Sequence, residues 1–131
     1  MVETVRVLLA DDHAHVRAQL RARLARESFL EIVGEAGNAS QVVAAISQSE
    51  PDILLIDPMM RDGLGVAALK QIAERFPQVA IVVLTAAADT ALNMELRQAG
   101  VRQILNKSID SNLLIETLDK IKNEIHNHSS P

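Results

Sequence analysis

Apolar residues along this chain fall into two kinds of block. Five short runs are mostly apolar: VRVLLA (5–10), EIVGEA (31–36), DILLID (52–57), VAIVVLT (79–85) and VRQILN (101–106). The third and fourth are nearly all β-branched residues and leucine, the composition of strands buried on both faces, which are typically parallel. Between the runs, apolar residues recur every three or four positions: Val16, Leu20 and Leu24; Leu69, Ile72, Ala73 and Phe76; Leu92, Leu96 and Ala99; Leu114, Leu118, Ile121 and Ile125. That spacing puts each set on one face of a helix. QVVAAI (41–46) is shorter, but NASQ before it offers Asn38 as an N-cap and Gln41 at the third helical position, a capping box. Pro77 and Gly100 are stop signals for the third and fourth helices. Strand and helix alternate five times, which predicts one α/β domain: a five-stranded parallel sheet, doubly wound, with helices on both faces. No internal repeat or low-complexity segment stands out. HNHSSP (126–131) reads as a loose polar tail or the stump of a linker after a domain spanning 1–125.

In an open sheet of this kind ligands bind beyond the carboxyl ends of the strands, so the residues after each run carry the chemistry. Asp11 and Asp12 follow the first run, Asp57 ends the third, Thr85 ends the fourth and Lys107 follows the fifth. Three acids, a hydroxyl and an ammonium are thereby predicted on one rim. Two carboxylates about 5 Å apart repel by roughly 3 kcal/mol at an effective dielectric of about 20. A hard divalent cation relieves that repulsion, and ligation by a few carboxylates plus water suits Mg²⁺. Asp11 and Asp12 have a plainer reading as acids at the start of the first helix. The matching strand-end positions of Asp57, Thr85 and Lys107 favour the metal site.

Composition narrows the function classes. A chain of 131 residues is long enough for one domain with its own core. The absence of cysteine removes disulfides, thiol catalysis and Cys-ligated zinc together. A net charge of −4 and two Phe with no Tyr or Trp provide neither a basic footprint nor stacking platforms, so no direct nucleic-acid binding is expected. MVETVRVLL carries a glutamate and a very short apolar stretch, unlike a signal peptide, and no run reaches membrane-spanning length. A cytoplasmic protein without a membrane partner is expected.

LLADDH (8–13), DILLIDPMMRDGLG (52–65), VVLTA (82–86) and AGVRQILNK (99–107) occur in this order and spacing. On these motifs the chain resembles the receiver domain of bacterial two-component response regulators, from about Val5 to Ile125. DDHxxVR (11–17) is also similar to the subfamily whose receivers precede a helix-turn-helix output domain. The resemblance implies a flavodoxin-like strand order 2-1-3-4-5. It implies that Asp57 is the phosphoacceptor, attacking a phosphoryl group carried on a histidine of a sensor kinase or phosphotransfer protein. It makes Asp12 a direct Mg²⁺ ligand, Asp11 an acid holding the ion mostly through water, and Asp57 and the Met59 backbone carbonyl further ligands. Thr85 matches the switch hydroxyl and Lys107 the lysine that pairs with the phosphoryl group, with backbone N–H groups near Met59 and Ala86 completing the anion site. Such a domain catalyses only its own phosphoryl transfer and hydrolysis. Its phosphorylation would alter the fourth helix, fifth strand and fifth helix, residues about 88 to 125. That face would bind a partner, a second copy as a homodimer, or a DNA-binding output domain outside this chain.

The chain also departs from the family pattern. Arg61 stands where proline is frequent four residues after the acceptor, and Ser108 replaces the proline often found after the lysine, so no cis-proline peptide is expected there. Pro58 has no N–H, so any amide contact from this loop must come from Met59 or beyond. Ile104 occupies the place of the usual aromatic switch residue and cannot swing a ring. Met59 and Ala87, two beyond the acceptor and two beyond the threonine, cannot orient a water, which predicts slow self-dephosphorylation.

Other readings compete. GLGVAA (63–68) fits a dinucleotide fingerprint, but six residues, Asp57 to Asp62, separate it from the strand, and Asp57 and Asp62 would repel a pyrophosphate. A pseudo-receiver, a protein-binding module of this fold that is never phosphorylated, is the main alternative; Arg61, Ser108 and Ile104 leave room for it and the five pocket residues argue against it. A Mg²⁺-dependent hydrolase ranks lower because no further acid–base group is evident near Asp57. His13 and His15 are read as ordinary first-helix surface rather than metal ligands. Arg17, Arg21, Arg23 and Arg26 form a solvated basic face or, more sharply, a kinase-docking face. Asp62 has no fixed role.

Overall fold

The computed structural model describes residues 4–61, 65–86 and 89–129. Strands β1 (Val5–Ala10), β2 (Leu30–Ala36), β3 (Ile53–Ile56), β4 (Ala80–Thr85) and β5 (Gln103–Asn106) alternate with helices α1 (Ala14–Leu24), α2 (Ala39–Ser49), α3 (Val66–Arg75), α4 (Thr90–Gln98) and α5 (Ser111–Ser129). Every strand pairing is parallel and the order is β2-β1-β3-β4-β5, the flavodoxin-like order expected. The chain therefore starts in the sheet, winds outward to β2 and returns past β1 to β3. That reversal opens a crevice at the carboxyl ends of β1 and β3.

Alternating strand residues serve two cores. Leu8, Ala10, Leu54, Ile56, Ile81 and Val83 face one layer with Val42 and Ile46 of α2, Leu69 and Ile72 of α3 and Leu96 of α4. Val7, Leu9, Ile53, Leu55, Val82 and Leu84 face the other with Leu20 and Leu24 of α1 and Leu114, Leu118 and Ile121 of α5. β3 and β4 are buried along their whole length, as their composition predicts. The edge strands β2 and β5 are mixed in burial.

Capping follows the sequence signals closely. Asn38 Oδ1 accepts from the Gln41 N–H at 3.1 Å, while Gln41 Oε1 takes the Gly37 N–H, one residue ahead of the cap. Asp89 caps α4 by accepting from the N–H groups of Ala91 and Leu92. Gly100 ends α4 at φ 105°, and a Cβ there would stand 2.8 Å from Ala73 Cβ of α3. Both the left-handed backbone and the close approach require glycine.

Three local features differ from the sequence reading. β2 carries a bulge: Val7 pairs with Ile32 and Leu8 with Gly34, which leaves Val33 as the additional residue. α2 ends at Glu50 in the left-handed conformation, φ 48°, directly before Pro51, with no glycine to announce the stop. α5 runs through His126 to Ser129, into the stretch expected to be a loose tail, because a helix nucleated on its buried stripe propagates beyond it. Among the described residues no helix is long and apolar enough to cross a membrane.

Candidate functional site

Register brings the chemistry together. Ala10 pairs with Ile56, Ile56 with Val83, and Thr85 with Asn106. The ladder continues one step further, with the Asp57 N–H donating to the Ala10 carbonyl at 3.0 Å and the Lys107 N–H to the Thr85 carbonyl at 3.0 Å. Asp11, Asp57, Thr85 and Lys107 are thus the first residues at or past the carboxyl end of four adjacent strands. Asp11, Asp57 and Thr85 are the buried polar or charged residues among those described.

Lys107 ties the acids together. Its Nζ lies 2.7 Å from Asp11 Oδ2 and 2.6 Å from Asp57 Oδ2. Burial alone would lower the lysine's pKa, but the bonds to Asp11 and Asp57 outweigh it and hold the ammonium above its ordinary value of 10.5. The second Asp57 oxygen accepts from the Met59 N–H at 2.8 Å, the amide contact expected beyond Pro58. Asp11 Oδ1 accepts from the His13 N–H at 2.8 Å, and the Arg17 guanidinium donates to the Asp11 carbonyl.

Asp12 stands beside this cluster with its side chain only 7 % exposed. Its Oδ2 accepts from the Arg61 N–H at 2.9 Å and from Arg61 Nε at 3.2 Å. The Arg61 backbone bond, acting against burial and joined by the Arg61 and His13 side chains, holds the Asp12 carboxyl below its ordinary range. Asp12 Oδ1 is buried and accepts no hydrogen bond, although His13 Nδ1 is 3.0 Å away. A buried carboxylate oxygen without a donor is costly unless something else meets it. Ligand atoms of Asp11, Asp12 and His13 all lie within 4.8 Å of one another, and the two carboxylates among them suit a hard divalent cation.

Asp11, Asp57 and Lys107 are therefore in direct contact, Asp12 stands beside them, and Thr85 joins the rim through its carbonyl, which accepts from the Lys107 N–H. Sequence reasoning missed two neighbours. His13, read as ordinary surface, is the residue preceding α1, and its Nδ1 lies within 3.1 Å of both Asp11 and Asp12 oxygens. Arg61, seen only as a departure from a proline, is bonded to Asp12. The DDH sequence itself was the available signal for His13; nothing local signalled the reach of Arg61 across the loop. Ile104 is partly buried against the core layer shared by α2, α3 and α4. No peptide bond is cis among the described residues. Asp62 and Gly63, Ala87 and the end of the tail at 130–131 lie outside the described residues.

Comparison with known proteins agrees with this geometry. The model of the response regulator receiver domain family matches residues 7–119. The chain belongs to that family. It is 33% identical over 119 residues to the transcriptional regulatory protein CitT of Bacillus subtilis, covering 90% of this chain and 52% of that one. It is 30% identical over 117 residues to the response regulator protein VraR of Staphylococcus aureus, covering 89% of this chain and 56% of that one. The chain thus spans about half the length of the curated relatives it matches. Among solved structures, a two-component response regulator of the LuxR family from Aurantimonas superposes with a TM-score of 0.86 at 25% identity, over 93% of this chain and 87% of that one. The response regulator domain of CheB from Thermotoga maritima superposes with a TM-score of 0.81 at 23% identity, over 98% of this chain and 100% of that one, a likeness of fold alone. The protein is therefore a receiver domain of the two-component response-regulator type, and its relatives are transcriptional regulators.

Proposed function

We propose that this receiver accepts a phosphoryl group on Asp57 from a histidine kinase or phosphotransfer protein and converts that event into a change of its α4–β5–α5 face. The observation that carries the reading is Lys107 Nζ, held between Asp11 Oδ2 and Asp57 Oδ2 at 2.7 and 2.6 Å on a largely buried rim. In the transfer, an Asp57 carboxylate oxygen bonds to phosphorus as the phosphorus–nitrogen bond to the kinase imidazole breaks, and that nitrogen takes a proton from solvent. Asp11, Asp12, Asp57 and the Met59 carbonyl would hold Mg²⁺, which supplies charge neutralisation for the phosphoryl oxygens. Lys107 is positioned to follow the charge from the carboxylate onto the phosphoryl group. Thr85, 1 % exposed at the end of β4, is the hydroxyl from which the loop that would respond departs.

Driving a two-state equilibrium from 1:99 to 99:1 takes about 5.5 kcal/mol of differential interaction. A few hydrogen bonds to a charged group, at roughly 1.5–3 kcal/mol each, supply that. Met94 on α4 and Leu113 on α5 are large apolar side chains left more than half exposed, which supports this face as the one a partner, a second copy or an output domain reads. The receiver unit includes α5 to Ser129, and a DNA-binding output would be supplied by a further domain. The test is incubation with a small phosphodonor and Mg²⁺ followed by intact-mass measurement. Wild type should gain one phosphoryl group and Asp57→Asn none. A wild type that stays unmodified under conditions that label another receiver would mark this chain as a pseudo-receiver.

A further inference from the structure

Every carboxylate oxygen on the rim but one is already engaged by the protein itself. Lys107 holds Asp11 Oδ2 and Asp57 Oδ2, the His13 N–H holds Asp11 Oδ1, the Met59 N–H holds Asp57 Oδ1, and Arg61 holds Asp12 Oδ2. Asp12 Oδ1 is left without a donor. These contacts differ in how readily they can be given up. Lys107 is only 20 % exposed and satisfies two acids at once. Arg61 is 85 % exposed in its side chain, and Asp12 is the one partner found for its guanidinium group among the described residues. An arginine so exposed loses little by returning to water. Its backbone N–H would remain on Asp12 after the side chain had left.

We infer that the Arg61 side chain is a removable internal counterion, occupying Asp12 when no divalent cation is bound and displaced from it by the cation. The inference rests on the proposed metal-dependent function of the same rim, and it assigns a role to the residue by which this loop departs from the family pattern. The physical reason is competition for the charge of one carboxylate: Arg61 holds Asp12 Oδ2, while Oδ1 is the oxygen left without a donor. A guanidinium beside a carboxylate lowers the negative potential that draws a cation in, and a divalent ion on Asp12 would repel a fixed positive charge held 3.2 Å from Oδ2 of the same carboxylate. Arg61 thereby raises the concentration of free cation needed to fill the site while protecting the acids from mutual repulsion before it arrives.

The test uses the intact chain and Mg²⁺ alone. Calorimetric titration should show Arg61→Ala binding Mg²⁺ about threefold to tenfold more tightly than wild type, with Arg61→Lys in between, because lysine keeps the charge but lacks the Nε–H group. Alanine at 61 keeps the backbone N–H to Asp12, so the loop contact survives, and circular dichroism checks the fold. In parallel, the Arg61 Nε–H resonance of ¹⁵N-labelled wild type should shift and lose its protection from solvent exchange as Mg²⁺ saturates. Equal, measurable affinities for wild type and Arg61→Ala, or an Arg61 Nε–H signal unmoved at saturation, would overturn the inference while leaving the metal site in place. Failure of both proteins to bind Mg²⁺ at millimolar concentration would overturn the inference and the metal-dependent reading together.

Discussion

A lysine between two buried carboxylates, an arginine on a third and a second arginine on a loop carbonyl make the rim a charge network rather than a set of independent residues. Arg17 belongs to it from outside: its Nε lies 2.9 Å from Glu35 Oε1 while its guanidinium donates to the Asp11 carbonyl, and Arg21 Nε holds Glu35 Oε2 at 2.8 Å. Glu35 thus braces α1 and the Asp11 loop from β2. Burial would raise the Glu35 pKa, but hydrogen bonds from Arg21 and Arg17 outweigh it and hold the carboxyl below its ordinary 4.5. A depressed folded-state pKa means that this stabilisation is present above the unfolded value and is lost as pH falls through the folded one. Glu35→Gln should therefore cost a few tenths to about 1 kcal/mol at neutral pH, since the pair is partly exposed. The difference from wild type should shrink in urea titrations carried to pH values progressively below the ordinary 4.5. A gap that stays constant across that range would assign the effect to packing instead. The types of the rim residues were legible in the sequence, because strand ends are recognisable from where apolar runs stop. Their pairings were not. Whether Lys107 meets Asp57, Asp11 or water depends on distances across four strands, and the approach of Arg61 to Asp12 spans 49 positions of chain.

Elements were legible where local chemistry determines them. The Asn38–Gln41 capping box and the stops at Pro77 and Gly100 act within a turn of backbone and need no tertiary partner; the Asp89 cap is equally local but went unread. Gly100 joins local and tertiary requirements: its φ of 105° ends α4, and its missing side chain lets α4 close on Ala73 of α3. Gly100→Ala should destabilise the domain by about 2–3 kcal/mol, combining roughly 1–2 kcal/mol for a left-handed non-glycine residue with the cost of pushing Ala73 aside. Urea denaturation measures it, and a loss below about 0.5 kcal/mol would show that the turn relaxes freely. The elements that escaped the sequence did so for the opposite reason. The β2 bulge at Val33 exists because of how β1 lies beside it, and the left-handed Glu50 is set by the need to turn α2 into Pro51 and β3.

At the scale of the molecule, two helical layers sandwich one sheet, and the rim sits where strand order reverses. On the proposed reading, charge added at Asp57 would reach α4 and α5 through the loops after β4 and β5, because Thr85 ends β4 and Lys107, bonded to Asp57, follows β5. Hydrogen exchange under phosphodonor and Mg²⁺ should therefore change in α4, β5 and the start of α5, with α1 and β2 nearly unaffected and no change in Asp57→Asn. A response centred on α1 would reject the proposed output face. Ile104, partly buried beneath this face, offers no ring to swing, so the change should take the form of shifted helix and loop protection. The sequence by itself determined the alternation of strands and helices, the two-faced burial of β3 and β4, and the set of polar residues at the strand ends. Each of these follows from periodicity and from where an apolar run must stop. Only the tertiary structure decided that Lys107 bridges two acids, that His13 turns back onto the pair it follows, and that Arg61 covers Asp12. Such contacts depend on register and loop path, which arise from packing the whole sheet rather than from any local run of residues.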